Sequence, residues 1–332
     1  MKSPLREFSV RNPDRGHETP GIADIRAKLM LVLLCLIWGI TWPLMKVALV
    51  EIPPFSMRAS SAACGALTLY LVCLVKRRSF RIPNAKAWAH VVIAALLNIV
   101  GFSLFSAFAQ LATATSRVTI LAYTMPIWSV LLAWLCLGER PTGTQAVALG
   151  LCGAGLAILI YPLTATGIPI GILLAIATGA SWAAGTVYLK WARINADPMG
   201  VASWQLTIAF VVLAGCMLAF EGRLGLGALG AVHAKALFAT AFVGVAGNGI
   251  AYGLWFEIVR RLPAAAASLG VLSVPVIGII ASVVILGEVP TSADVVGFAL
   301  IFAASACVLL ARHAPSLPSP ACGGGKGGGA TP

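Results

Sequence analysis

Long apolar runs alternate with short polar clusters along the whole chain. Ten runs stand out, at approximately 29–50, 54–75, 88–110, 118–137, 143–161, 168–190, 198–220, 236–258, 265–286 and 293–311. Each is near or above the roughly 20 residues that a helix needs to cross about 30 Å of hydrocarbon. The pattern predicts ten transmembrane helices joined by short connections, with tight hairpins at 51–54 and 260–264. The first run is too long for the apolar core of a signal peptide, follows a polar leader and is succeeded by nine more runs, so it reads as a retained helix.

Composition turns this pattern into a fold class. Residues AVILMFWYC make up 59% of the 332 residues and charged residues only 10%, against about 25% charged in soluble domains. A soluble fold could not hide that much apolar surface, so lipid is the solvent. In lipid every backbone group must be satisfied within its own segment, which selects helices. The expectation is an all-α membrane protein. The leader 1–28 and the Pro- and Gly-rich tail 312–332 are expected to be disordered.

The chain also repeats itself. Leu137-Gly138-Glu139-Arg140-Pro141-Thr142 returns as Leu286-Gly287-Glu288-Val289-Pro290-Thr291, each copy eleven residues after a proline, Pro126 or Pro275. Trp38 and Lys46 in the first run are echoed by Trp182 and Lys190 in the sixth, and Asn98 in the third by Asn248 in the eighth. Two units follow, 29–161 and 168–311. Each holds five helices, an odd number, so the second unit lies inverted relative to the first.

Net charge is +12, and its distribution speaks for topology rather than for nucleic acid. With the N-terminus inside, eighteen Lys and Arg fall on the cytoplasmic side and three outside (Arg117, Arg223, Lys235), with Lys46 and Arg58 within helices. The positive-inside rule places both termini in the cytoplasm. Seven of the eight cysteines lie within apolar runs without Cys-x-x-Cys spacing and behave as small apolar residues. There is no phosphate-binding Gly-Lys loop and no histidine cluster, so the sequence implies no cofactor, no metal and no enzyme.

Candidate chemistry collects at one depth. Trp38, Asn98, Pro126, Trp182, Asn248 and Pro275 all fall near the centres of their helices. A proline inside a helix frees a carbonyl and kinks the axis, and a mid-membrane asparagine needs a partner. Both can serve as glue between helices or as the wall of a polar cavity, and their paired placement favours the cavity. Lys46 and Lys190 lie near helix ends and can snorkel. Arg58, about one turn into the second helix, either captures an anionic group through its fork, covers nearby carbonyls or ties to Glu51. Gln205 occupies the corresponding place in the seventh helix. Glu257 beside Arg260 and Arg261 reads as an interfacial ion pair. Glu139 and Glu288 end helices, where a carboxylate opposes the dipole; each is expected to fix its hairpin to the next helix. Small residues crowd the fifth and tenth helices, which suits internal packing or a homodimer contact.

Trp38-Gly39 in the first helix, the duplicated Leu-Gly-Glu-x-Pro-Thr signature and ten helices with inside termini resemble the drug/metabolite transporter superfamily, EamA type, over roughly 29–311. The second half departs from the first at Val289 and at Trp182-Ala183. The resemblance implies a bacterial inner-membrane carrier with five-plus-five inverted helices around a central cavity built from both halves. Many such carriers export amino acids or other small metabolites.

The expectation is thus a secondary transporter, monomer or homodimer, exporting a small polar metabolite such as an amino acid by alternating access. Its cargo would sit among Trp38, Asn98, Tyr123, Thr124, Trp182 and Asn248, with Arg58 orienting an acidic group. A multidrug or lipid-carrier exporter is the rival reading, weakened because no carboxylate lies at mid-membrane to bind a lipophilic cation. A membrane enzyme or sensor lacks the clustered acid, base or metal site, or the soluble domain, that it would need.

Overall fold

The computed structural model describes residues 20–161, 169–222, 232–261 and 271–310, so the tail, most of the leader and the 262–270 connection lie outside the described residues. Every regular element among those residues is helical. In chain order they are α1 (Pro20–Leu49), α2 (Pro54–Val75), α3 (Ala85–Ala112), α4 (Thr115–Ala122), α5 (Met125–Leu137), α6 (Gly143–Ile160) and α7 (Ile170–Ala192). They continue with α8 (Pro198–Glu221), α9 (Ala234–Ile258, running on to Arg261), α10 (Ser273–Leu286) and α11 (Ser292–Leu310). With α4 and α5 taken as one stretch, eight helices are long and apolar enough to cross a membrane. Ser273–Leu286 and Ser292–Cys307 are shorter apolar helices.

The bundle is apolar on its outside, and its few strongly polar mid-helix side chains are buried in a largely apolar core. Leu135, Val211 and Val284 are exposed at 73%, 63% and 77%, whereas Arg58, Asn98, Gln110 and Gln205 are buried. Such a distribution would aggregate in water and suits lipid.

The duplicated signature is explained by backbone geometry. Leu137 and Leu286 close α5 and α10, and Gly138 (φ 71°) and Gly287 (φ 68°) adopt the left-handed conformation that ends a helix without a Cβ clash. Thr142 then caps α6 in a reciprocal box with Gln145, and Thr291 does the same for α11 with Asp294. The motif stops one helix, turns, and starts the next.

The fourth apolar run corrects the sequence expectation of one kinked helix. It is two helices, α4 and α5, separated by Tyr123 and Thr124. The Thr124 hydroxyl donates to Leu121 O at 2.6 Å and accepts from Trp128 Nε1 at 3.0 Å, which holds the break. Pro126 falls in the first turn of α5 and Pro275 in the first turn of α10. There a missing N–H costs no hydrogen bond, so neither proline kinks a helix interior. Among the described residues the proline inside a helix is Pro43 of α1.

Packing follows the two-unit pattern. α1 packs on α10 as α7 packs on α4 and α5; α2 packs on α9 as α8 packs on α3; α2 meets α8 and α6 meets α11. The small-residue faces of α6 and α11 meet each other, Gly155 against Gly297. One end of the bundle carries Lys76, Arg77, Arg78, Arg140, Lys190 and Arg193 and is called the basic end. The other carries Glu51, Glu221 and Glu288 and is called the capped end.

Candidate functional site

Asn98 and Asn248 both sit in stretches of wider, π-helical winding, Leu96–Gly101 within α3 and Phe242–Ile250 within α9. Such winding disturbs the regular backbone ladder, and it recurs at functional sites. In each half the carbonyl just before the asparagine is taken by a side chain from the first helix of the other half. Trp38 Nε1 donates to Gly247 O at 3.1 Å, whereas Ser181 Oγ donates to Leu97 O. The halves thus solve one problem with different residues. Trp38 uses its N–H on the protein, and the indole N–H of Trp182 has no hydrogen-bond partner among the described residues. Gly185 lets α7 approach here, since a Cβ at that position would lie 2.5 Å from Asn98 Cβ.

Between the halves lies a cavity of about 500 Å³. Its deep wall is formed by Trp38, Asn98, Tyr123, Trp182, Gln205 and Tyr252. From there the lining runs to Ile194 and Ala196, in the connection between α7 and α8 at the basic end, and to Pro198 at the start of α8. Among the described residues, none in the connections at the capped end takes part. Trp182 and Tyr252 present near-parallel rings, 26° apart with centroids at 6.3 Å, and Trp38 stands edge-on to Tyr252 at 79°. Among the described residues no charged side chain lines the cavity.

Four of the residues expected at the site are therefore brought together: Trp38, Asn98, Tyr123 and Trp182. Three are not on this wall. Thr124 is fully buried in the α4–α5 break. Asn248 points away, its Nδ2 3.4 Å from Ser61 O and its Cβ over Gly65. Arg58 lies buried roughly 6 Å below the capped end, four residues into α2. Its guanidinium reaches Met45 Sδ and Ser106 Oγ, and its Nε has no partner. Its tie is not to Glu51, which meets His233 instead. Gln205 and Tyr252 belong to the wall without having been proposed for it. Both were findable, Gln205 as the counterpart of Arg58 and Tyr252 as the residue one helical turn after Asn248.

The capped end is closed by bonds between the halves. Glu288 accepts from the backbone N–H groups of Thr115 and Ser116 at 2.6 and 2.7 Å, capping α4. Glu221 accepts from Phe55 and Ser56 N–H at 2.7 and 2.8 Å, capping α2. Glu51 accepts from His233 N–H at 2.9 Å ahead of α9, and Arg117 forms a fork to Asp294 at 2.7 and 3.0 Å. Glu288 therefore does not fix its own hairpin, as its position suggested; that is done by Thr291 and Asp294. At the basic end Glu139 pairs instead with Lys190 at 2.8 Å, both about half exposed. Lys76–Glu257 and Arg78–Asp197 stand at 3.4 Å.

A helical bundle with an apolar exterior, built of paired halves around a cavity open at one end, has the architecture of a membrane carrier. The model of the EamA-like transporter family matches residues 25–161 and 169–310. The chain belongs to this family. It is 28% identical over 291 residues to the uncharacterized transporter YvbV of Bacillus subtilis, covering 86% of this chain and 91% of that protein. It is 23% identical to the uncharacterized inner membrane transporter YedA of Escherichia coli K12, covering 85% and 90%. A solved structure described only as a crystal structure of protein aligns with a TM-score of 0.60 at 24% identity, over 87% of this chain and 99% of that one; it speaks for the fold. This EamA-type protein is thus a membrane transporter of the drug/metabolite class.

Proposed function

We propose that the protein is a secondary carrier of the cell's inner membrane, with ten membrane helices and both termini cytoplasmic, that exports a small metabolite by alternating access. The observation that carries this reading is a cavity between the halves whose lining, among the described residues, reaches the basic end and not the capped end, where inter-repeat caps join the halves. By the positive-inside rule the basic end faces the cytoplasm, so the structure is the cytoplasm-facing state, ready to load cargo for export. The amino-acid cargo expected from the sequence would need Arg58 for its carboxylate, and Arg58 is off the wall. The uncharged, aromatic lining also favours the second reading, an exporter of lipophilic compounds.

The test uses a variant with its native cysteines replaced and a single Thr186→Cys on the cavity wall. In inside-out vesicles, with the cytoplasmic side outward, a membrane-impermeant maleimide labels it rapidly. In right-side-out vesicles labelling is at least tenfold slower. Equal labelling from both sides would overturn the one-sided state, and labelling only in right-side-out vesicles would reverse the orientation.

A further inference from the structure

The carrier's cavity carries a more specific chemical message, which rests on the transport reading just given. We propose that it takes an uncharged, planar heteroaromatic molecule with both donors and acceptors along its edge, of the chemical kind of a nucleobase. Three observations converge. First, the wall is aromatic, with Trp182 and Tyr252 near-parallel and Trp38 across them. Flat rings stack on such faces, and stacking does not distinguish one heterocycle from another.

Second, the wall holds polar groups left without protein partners. Asn98 Oδ1 is buried and has none. The Gln205 amide, the Trp182 indole N–H and the Tyr252 hydroxyl make no hydrogen bond among the described residues. Gln205 offers a donor and an acceptor side by side, the pattern that reads an amide-like ring edge in two places, and Asn98 stands on the same wall. A wall meant only for greasy cargo would gain nothing from two buried amides, because unpaired polar groups in an apolar site cost free energy.

Third, among the described residues no charged side chain lines the cavity. A carboxylate or ammonium entering it would lose its water without gaining a counter-charge, so a zwitterion is excluded by the same physics that admits a neutral heterocycle. Arg58, the buried cation expected to answer a carboxylate, points to Met45 and Ser106 instead.

The test is calorimetric binding to the purified full-length carrier in detergent, with adenine and uracil as heterocyclic probes, indole as a flat molecule without the amide-like edge, and tryptophan as a zwitterion with a flat ring. Adenine or uracil is expected to bind at least tenfold more tightly than indole, and tryptophan to bind weakest. Asn98→Ala and Gln205→Leu should each weaken heterocycle binding at least tenfold while leaving indole within threefold, so that misfolding is separated from loss of the edge contacts. Tryptophan binding more tightly than both bases, with the affinity lost in Arg58→Gln, would overturn the proposal. So would indole binding as well as the bases with no effect of Asn98→Ala or Gln205→Leu. Counterflow of radiolabelled adenine in proteoliposomes tests the underlying reading separately: binding without counterflow would remove transport and leave the site, whereas counterflow of other solutes without base binding would remove the site and leave transport.

Discussion

The two ends of the bundle are built from equivalent stretches of sequence and do opposite things. At the capped end Glu288 crosses from one half to the other and satisfies two backbone N–H groups of α4. At the basic end its sequence counterpart Glu139 rests in the open against Lys190, 51% and 58% exposed. The same contrast holds for helix starts. α2 begins at the capped end with a proline at its N-cap and no side-chain cap of its own, so Glu221 from the other half supplies one. α8 begins at the basic end with Asp197, which caps it locally. Both ends are thus bridged between the halves, one by carboxylates that cap backbone N–H groups and the other by half-exposed or 3.4 Å ion pairs while its helix start is capped locally. In an inverted repeat, that is how a single fold is open on one side and shut on the other.

The sharpest way to break this contrast is to remove the crossing caps. In Glu221→Ala/Glu288→Ala, the first turns of α2 and α4 lose their acceptors. A lost cap costs about 1 kcal/mol, and two shift the closed-to-open ratio at that end by roughly 30-fold. Ser106, fully buried below the capped end, is the reporter. A Ser106→Cys in a background without native cysteines should stay unlabelled by impermeant maleimide in the parent and become reactive from the capped side in the double variant, with flux reduced at least tenfold. Continued protection would mean that the caps merely trim helix ends and do not hold the end shut.

How much of this was legible beforehand follows from the kind of contact involved. Contacts within one helix or turn could be read. The pattern placed α2 at 54–75, where it stands, and the duplicated signature announced a duplicated turn. Contacts that depend on how the halves meet could not. That Glu288 opposes its own helix dipole showed that it needs a partner, yet the partner lies 173 residues away. Arg58 and Gln205 look interchangeable as counterparts on α2 and α8. Inversion puts them towards opposite ends, so the cavity that reaches the basic end is lined by Gln205 and not by Arg58, though both are buried. The break in the fourth run was hidden for another reason: a proline marks a disturbance without saying whether it lies inside a helix or in its first turn.

A milder perturbation is acid. The Glu51 carboxyl is held below the ordinary carboxylate range, first by the His233 backbone N–H and then by the His233 side chain. A group whose folded pKa is depressed lends stability above its unfolded pKa, about 4.3 for Glu, and loses it as pH falls through the lower folded value. The tie is therefore complete at pH 6 and fades below about pH 4. The melting-temperature difference between parent and Glu51→Gln should shrink between pH 6 and pH 3.5. A difference that stays constant or grows would show that the carboxylate is not what joins the 51–54 turn to the start of α9.

The smallest effect belongs to the basic end and completes the contrast. Lys190 and Glu139 lie at 2.8 Å, a distance that at the capped end accompanies a cap. Here both side chains are half in solvent, where an ion pair is screened by water and salt and is offset by the cost of ordering two long chains. Its worth is therefore about 0.5 kcal/mol or less, against about 1 kcal/mol for each crossing cap. Glu139→Gln should leave the melting temperature within about a degree of the parent and flux within twofold, and raising the salt should not change either further. If Glu139→Gln instead slows flux as strongly as the loss of Glu288, then Glu139 has a second partner in the part of the cycle where the basic end is shut. The two ends would then be fastened by one device used alternately, with Lys190 only the place where Glu139 waits.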